Sequence, residues 1–148
     1  MELKKQLENA LKDAMRANDD VTRRTIRMAL SSIKLAEVEK GQPLDDLALM
    51  GILQKEIKMR NEAIQEARQA NRPDLEAASQ VEITVLQSFL PQPMSDAELN
   101  EFVQSIITEL NASGTADMGR VIKAVIPRVQ GRAPGDKVSQ VVRTLLQK

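Results

Sequence analysis

The chain is 148 residues long, 42% hydrophobic and 28% charged, the balance of a soluble globular protein with one domain or two small ones. It contains no Cys, His, Trp or Tyr and two Phe, which excludes the usual zinc, haem and iron–sulfur ligand sets, thiol catalysis, disulfides, imidazole triads and an aromatic platform for stacking bases. Lys and Arg total 21, as do Asp and Glu, so overall charge points to no class of partner.

The N-terminus, Met1-Glu2-Leu3-Lys4-Lys5, is charged and leads straight into an amphipathic pattern, with no apolar signal segment. Leu3, Leu7, Ala10, Leu11, Ala14 and Met15 recur at helical spacing and predict a first helix with one apolar face. Asn18-Asp19-Asp20 breaks the pattern, with Asp20 placed to cap a second helix from Val21 whose inward stripe is Ile26, Ala29, Leu30 and Ile33. Gly41-Gln42-Pro43 reads as a turn. Asp45 or Asp46 caps a long third helix through Met50, Leu53, Ile57 and Ile64 to about Ala70. After the breaker Asn71-Arg72-Pro73-Asp74, Pro73 suits the first position of a fourth helix carrying Leu75, Val81, Val85, Leu86 and Phe89.

Pro91-Gln92-Pro93 stops any helix and is the best domain boundary, dividing residues 1–92 from 93–148. Ser95-Asp96-Ala97-Glu98 has the pattern of a capping box opening a fifth helix (Leu99, Phe102, Val103, Ile106, Ile107, Leu110) that ends at Ser113-Gly114. Met118, Val121, Ile122, Val125 and Val129 form a sixth, which Pro127 is expected to kink or end. Asp136 is placed to cap a seventh, built on Val138, Val141, Val142, Leu145 and Leu146. No stretch alternates with period two, and none approaches a membrane span. The expectation is an all-α protein, an N-terminal helical part followed by a small three-helix C-terminal part, located in the cytoplasm.

Balanced overall, the charge is split along the chain. Residues 94–117 carry −5 (Asp96, Glu98, Glu101, Glu109, Asp117) and residues 118–148 carry +6. At 100° per residue, Arg120, Lys123 and Arg128 fall opposite the apolar side of the sixth helix, near Arg132 of the following loop. With Lys137 they form a candidate phosphate-gripping patch, the alternative being a solvated helix face. On the second helix Arg23, Arg27 and Lys34 share a stripe within about 40°, with Arg16 and Arg24 nearby, and a wet edge of the core is the alternative there too. Glu56–Arg60 and Lys58–Glu62 read as i,i+4 helix support, and the seven Met as core filler.

Catalytic patterns are scarce. Ser31-Ser32 with Lys34 is the one set suggestive of a serine amidase, and nothing in the sequence deprotonates that Lys. Phosphate-loop and dinucleotide motifs do not occur, and Asp19/Asp20 and Asp45/Asp46 sit where caps are needed. No catalytic residue, metal or cofactor is expected.

Several segments together resemble the YqeY family of small bacterial proteins: Thr25-Ile26-Arg27, Leu53-Gln54-Lys55-Glu56, Phe89-Leu90-Pro91-Gln92, Asp117-Met118-Gly119-Arg120-Val121, and Gly131-Arg132-Ala133 followed by Val138-Ser139. Gly119-x-Val121-x-Lys123-Ala124 and Gly131-Arg132-Ala133 are also similar to the tail domain of GatB, a subunit of the tRNA-dependent amidotransferase, with a few extra residues, Pro127 among them, between the two pieces. The resemblance implies an all-helical protein of two subdomains, and a tRNA-holding role in which amide transfer occurs in other domains. Expected partners are therefore tRNA and amidotransferase or aminoacyl-tRNA synthetase subunits, without a membrane. Arg120, Lys123, Arg128, Arg132 and Lys137 are the candidate RNA contacts. The rival reading is a protein-interaction module whose acidic and basic segments pair within one molecule or dock on a partner. Carbon–nitrogen ligation with glutamine as donor rests on kinship alone.

Overall fold

Helices begin and end where short polar residues, proline or glycine relieve the unpaired backbone groups. The computed structural model describes residues 2–148, and every regular element among them is helical, as expected: α1 (Glu2–Arg16), α2 (Asp20–Lys40), α3 (Asp46–Gln69), α4 (Pro73–Gln87), α5 (Asp96–Leu110), a 3₁₀ turn (Thr115–Asp117), α6 (Met118–Val129) and α7 (Gly135–Leu146). The cap of α2 is Asp19, not Asp20: its carboxylate accepts both the Thr22 N–H (3.1 Å) and the Thr22 hydroxyl (2.7 Å). Gly41 closes α2 in the left-handed region at φ 77°. Asp45 caps α3 through the Ala48 N–H (2.9 Å), and Pro73 opens α4.

In α5 the capping box forms as the sequence predicts, with Ser95 and Glu98 bonding reciprocally. The helix ends earlier than expected, because Asn111 takes a left-handed φ of 52° and stops it before Ser113-Gly114. Pro127 neither ends nor shortens α6, which runs two residues past it to Val129. Pro127 removes only the ladder bond to the Lys123 carbonyl, and the buried Val125 and Val129 on either side hold the last turns in place. Asp136 does not cap α7. It lies inside the first turn, after Pro134 at the cap position, and its carboxylate accepts the Lys137 N–H (2.9 Å).

The chain divides into two compact units, Met1–Leu90 and Pro91–Lys148. In the first, α3 and α4 form the most extensive helix pair, α2 packs on both, and α1 covers α2 and α3. Its core draws Leu3 and Leu7 from α1, Ile26, Ala29 and Ile33 from α2, Leu49 and Leu53 from α3, and Leu86 from α4. Two expected core positions of α4, Leu75 and Val81, are exposed, and so are Met15, Met28 and Met59, so three of the seven Met are not core filler. The second unit closes α5, α6 and α7 around Leu99, Val103, Val121, Val125, Val138 and Val142, all fully buried. Valine is a modest helix former. These helices are therefore held by packing, each buried aliphatic side chain contributing about 1.5–3 kcal/mol. No helix among the described residues is long and apolar enough to cross a membrane.

Candidate nucleic-acid interface

The five candidate RNA contacts of the C-terminal unit come from α6 (Arg120, Lys123, Arg128), the following loop (Arg132) and α7 (Lys137). Val121, Val125 and Val129 turn inward on α6, which leaves the cations between them at the surface. The loop is fixed by Gly131 at φ 78° and by the Met94 N–H donating to the Arg132 carbonyl (2.9 Å).

Four of the five cations are engaged by carboxylates of the same unit. Arg120 pairs with Asp117 (3.4 Å) and donates to the Leu110 carbonyl (3.0 Å). Arg128 pairs with Glu109, Lys137 with Asp96, and Arg132 with Glu98 (3.1 Å) while also donating to the Gln92 carbonyl (2.9 Å). Lys123 is exposed and forms no ion pair among the described residues. The −5 and +6 stretches thus meet within one unit. The N–H of Ser95, then Arg132, holds Glu98 below the ordinary carboxylate range, and the N–H of Ser113, then Arg120, does the same for Asp117.

The five do not form one compact patch. Arg132 and Lys137 gather at the N-terminal end of α5, and Arg120 and Arg128 at its C-terminal end. The two acceptors Glu98 and Glu109 are 11 residues apart on one helix, a separation of about 16 Å at 1.5 Å per residue. Sequence periodicity placed the cations correctly on α6. The acidic partners on α5 lie too far away in sequence for periodicity to find.

On α2 of the N-terminal unit, Arg23 pairs with Asp20 (2.9 Å), while Arg27 and Lys34 are exposed and form no ion pair among the described residues. Arg24 stands 3.9 Å from Glu82 of α4. Beneath them lies a network missed at the sequence level. Arg60, 7% exposed, binds Glu56 (2.8 Å) and Glu82 (3.0 Å), and Ser32 donates to Glu56 (2.7 Å). The i,i+4 spacing of Glu56 and Arg60 was visible, but their burial depends on α2 and α4. Ser32 is thus committed to a carboxylate already paired with Arg60, and Lys34 makes no contact with it that would activate a nucleophile. No cluster of His, Cys, Asp or Glu among the described residues could hold a metal.

Residues 4–146 match the family described as Yqey-like protein. Among curated relatives, the chain is 39% identical over 110 residues to altered inheritance of mitochondria protein 41, mitochondrial, of Lachancea thermotolerans, covering 72% of this chain and 59% of that protein. It is 32% identical over 129 residues to the protein of the same name from Pyrenophora tritici-repentis, covering 86% and 71%. A Schizosaccharomyces pombe protein named as uncharacterized is 33% identical over 86 residues, 58% of this chain and 70% of that one. The chain thus spans three fifths to seven tenths of the length of these relatives.

Proposed function

Because the chain belongs to the Yqey-like protein family, we propose that it is an accessory that binds tRNA by its backbone, in support of glutamine-dependent amidation performed elsewhere. One observation carries this reading: five cations stand at the surface of a small helical unit, and the four that are paired are held by three exposed carboxylates and the half-buried Asp117. Such surface pairs contribute little in water. A phosphate, which accepts bidentate bonds from arginine, can displace the carboxylate. The two clusters, about 16 Å apart along α5, suit separated phosphates of a folded RNA. With no Trp or Tyr in the chain, recognition is of backbone shape rather than base identity. The proposed compartment is the cytoplasm; the mitochondrial label belongs to the relatives that bear it.

The test is binding of the purified protein to total tRNA by fluorescence anisotropy at about 50 and about 200 mM salt, with duplex DNA as control. The expected result is salt-sensitive binding that prefers tRNA. Lys123→Glu with Arg132→Glu abolishes it while circular dichroism is unchanged. Glu109→Gln, which frees Arg128, tightens it by about two- to fivefold, the scale of one surface ion pair. Absent binding, or equal binding to DNA, refutes the reading. A second reading, a protein-interaction module, is favoured by the exposed Leu35 and Val38 of α2, and a partner recovered equally after nuclease treatment is its signature. Glutamine hydrolysis by the pure protein would replace both with ligase-type chemistry.

A further inference from the structure

The cations of the C-terminal unit are mostly spoken for by their own carboxylates, whereas on α2 of the N-terminal unit Arg27 and Lys34 have no ion pair among the described residues and Arg24 has only a long one, to Glu82 at 3.9 Å. On the outer face of α2, Arg24, Arg27, Ser31 and Lys34 follow one another at i, i+3, i+7 and i+10. That is a stripe within about 80° of arc and about 15 Å long. The opposite face, with Thr25, Ile26, Ala29 and Ile33, is buried. The closest polar contact of Arg27 is a 4.0 Å approach to the Met15 sulfur, and Lys34 has no ion pair among the described residues. The hydroxyls of Thr25 and Thr84 turn back onto the carbonyl four residues earlier (2.8 and 3.1 Å); that of Ser31 is exposed and makes no such bond.

An open groove of about 630 Å³ runs from Arg23, Arg24 and Arg27 to Ser31 and Ser32. Most acids nearby are already used. In a second groove, beside Lys34, Glu37 is taken by Lys4 (2.8 Å), and Glu8 alone of the acids lining either groove has no ion pair among the described residues. Asp20 is taken by Arg23 (2.9 Å), and Glu56 and Glu82 by the buried Arg60 (2.8 and 3.0 Å). What this face offers a ligand is therefore positive charge and N–H and O–H donors, with little local competition.

We propose that the outer face of α2 is a phosphodiester-binding surface, on which Arg24, Arg27, Ser31 and Lys34 take backbone phosphates of an RNA. The proposal rests on the tRNA-binding reading and deepens it. It makes α2 the contact with the more available charge. A second copy of the chain does not suit this face, since stripe against stripe sets like charges together. An acidic protein helix is the competing occupant, because Met28, Leu35 and Val38 lie beside the stripe at 49%, 61% and 70% exposure.

The experiment measures total tRNA binding of the full chain between about 50 and about 200 mM salt for Arg27→Gln/Lys34→Gln and for Leu35→Ser/Val38→Ser. Both pairs are exposed, so circular dichroism is expected to be unchanged. At a slope of about −0.7 to −0.9 per phosphate contact, losing two contacts shrinks the salt-induced fall in affinity by about tenfold. That result for the charge pair, with the apolar pair binding like wild type, is the one expected. Wild-type affinity and salt slope in the charge pair, alongside loss in Lys123→Glu/Arg132→Glu, would overturn the α2 surface and leave the tRNA reading standing. Equal loss in the apolar pair with an unchanged salt slope would assign the face to apolar docking and also overturn it. If the wild type does not bind tRNA, both readings fall.

Discussion

Arg60 enters the interior of the N-terminal unit with two carboxylates already in place, Glu56 from its own helix and Glu82 from α4. At 7% exposure its guanidinium is out of water, so the pair is far more consequential to break than an exposed one. Arg60→Leu leaves Glu56 buried without its counter-charge and is expected to cost about 3–5 kcal/mol. Glu56→Leu/Arg60→Leu removes the two most buried charges, leaves the less buried Glu82 with Arg24 at 3.9 Å, and costs less than the single change. Urea unfolding of the two variants checks the order, and a double variant weaker than the single one refutes it. The i,i+4 spacing made the Glu56–Arg60 contact legible in the sequence. The burial that decides its strength was not, because it is imposed by the packing of α2 and α4 on α3, which also brings in Glu82, 22 positions beyond Arg60.

At the level of elements, local chemistry was legible wherever one residue decides the geometry. The Ser95–Glu98 capping box and Pro73 at the head of α4 follow from side-chain chemistry alone. Reading failed where neighbouring residues competed for one role. Asp19 took the cap expected of Asp20, and Asn111 ended α5 before the glycine was reached. Spacing does not say how far a neighbour extends, so Leu75 and Val81 of α4 have the right period but remain exposed. Gly51 gives a clean prediction at this scale. It lies within α3, and a Cβ there would meet nothing within 4 Å. Gly51→Ala is therefore expected to stabilise the protein by about 0.5–1 kcal/mol through helix propensity and reduced unfolded-chain freedom. Thermal unfolding followed at 222 nm would show it as a raised Tm, and an unchanged or lowered Tm would contradict the open environment of that site.

Across the whole molecule, acidic groups do most of the pinning. Thr22 holds Asp19 below its ordinary range, Lys4 holds Glu37, Arg72 holds Asp74, the Ser95 N–H holds Glu98, and the Ser113 N–H holds Asp117. A carboxyl depressed in the fold contributes stability that is fully present above its unfolded value, 3.8 for Asp and 4.5 for Glu, and is lost as pH falls through the lower folded value. With no His in the chain, the prediction is a Tm flat from about pH 8 to about pH 6 that drops steeply below about pH 4. A marked transition between pH 6 and 8 would show that another group titrates. The split of charge along the chain, and its pairing within one molecule as one of two alternatives, were legible in the sequence, but which residues pair required the packing of α5 against α6 and α7. That pairing also bears on speed. Residues 91–148 carry seven Lys and Arg against six Asp and Glu, a net +1, so little long-range field draws a polyanion towards this unit. The RNA capture proposed for it would therefore start from the unsteered range of about 10⁵–10⁶ M⁻¹s⁻¹. On the proposed reading each exchange of carboxylate for phosphate would follow the encounter, so affinity for RNA on this unit would be tuned through the lifetime of the complex rather than the frequency of collisions.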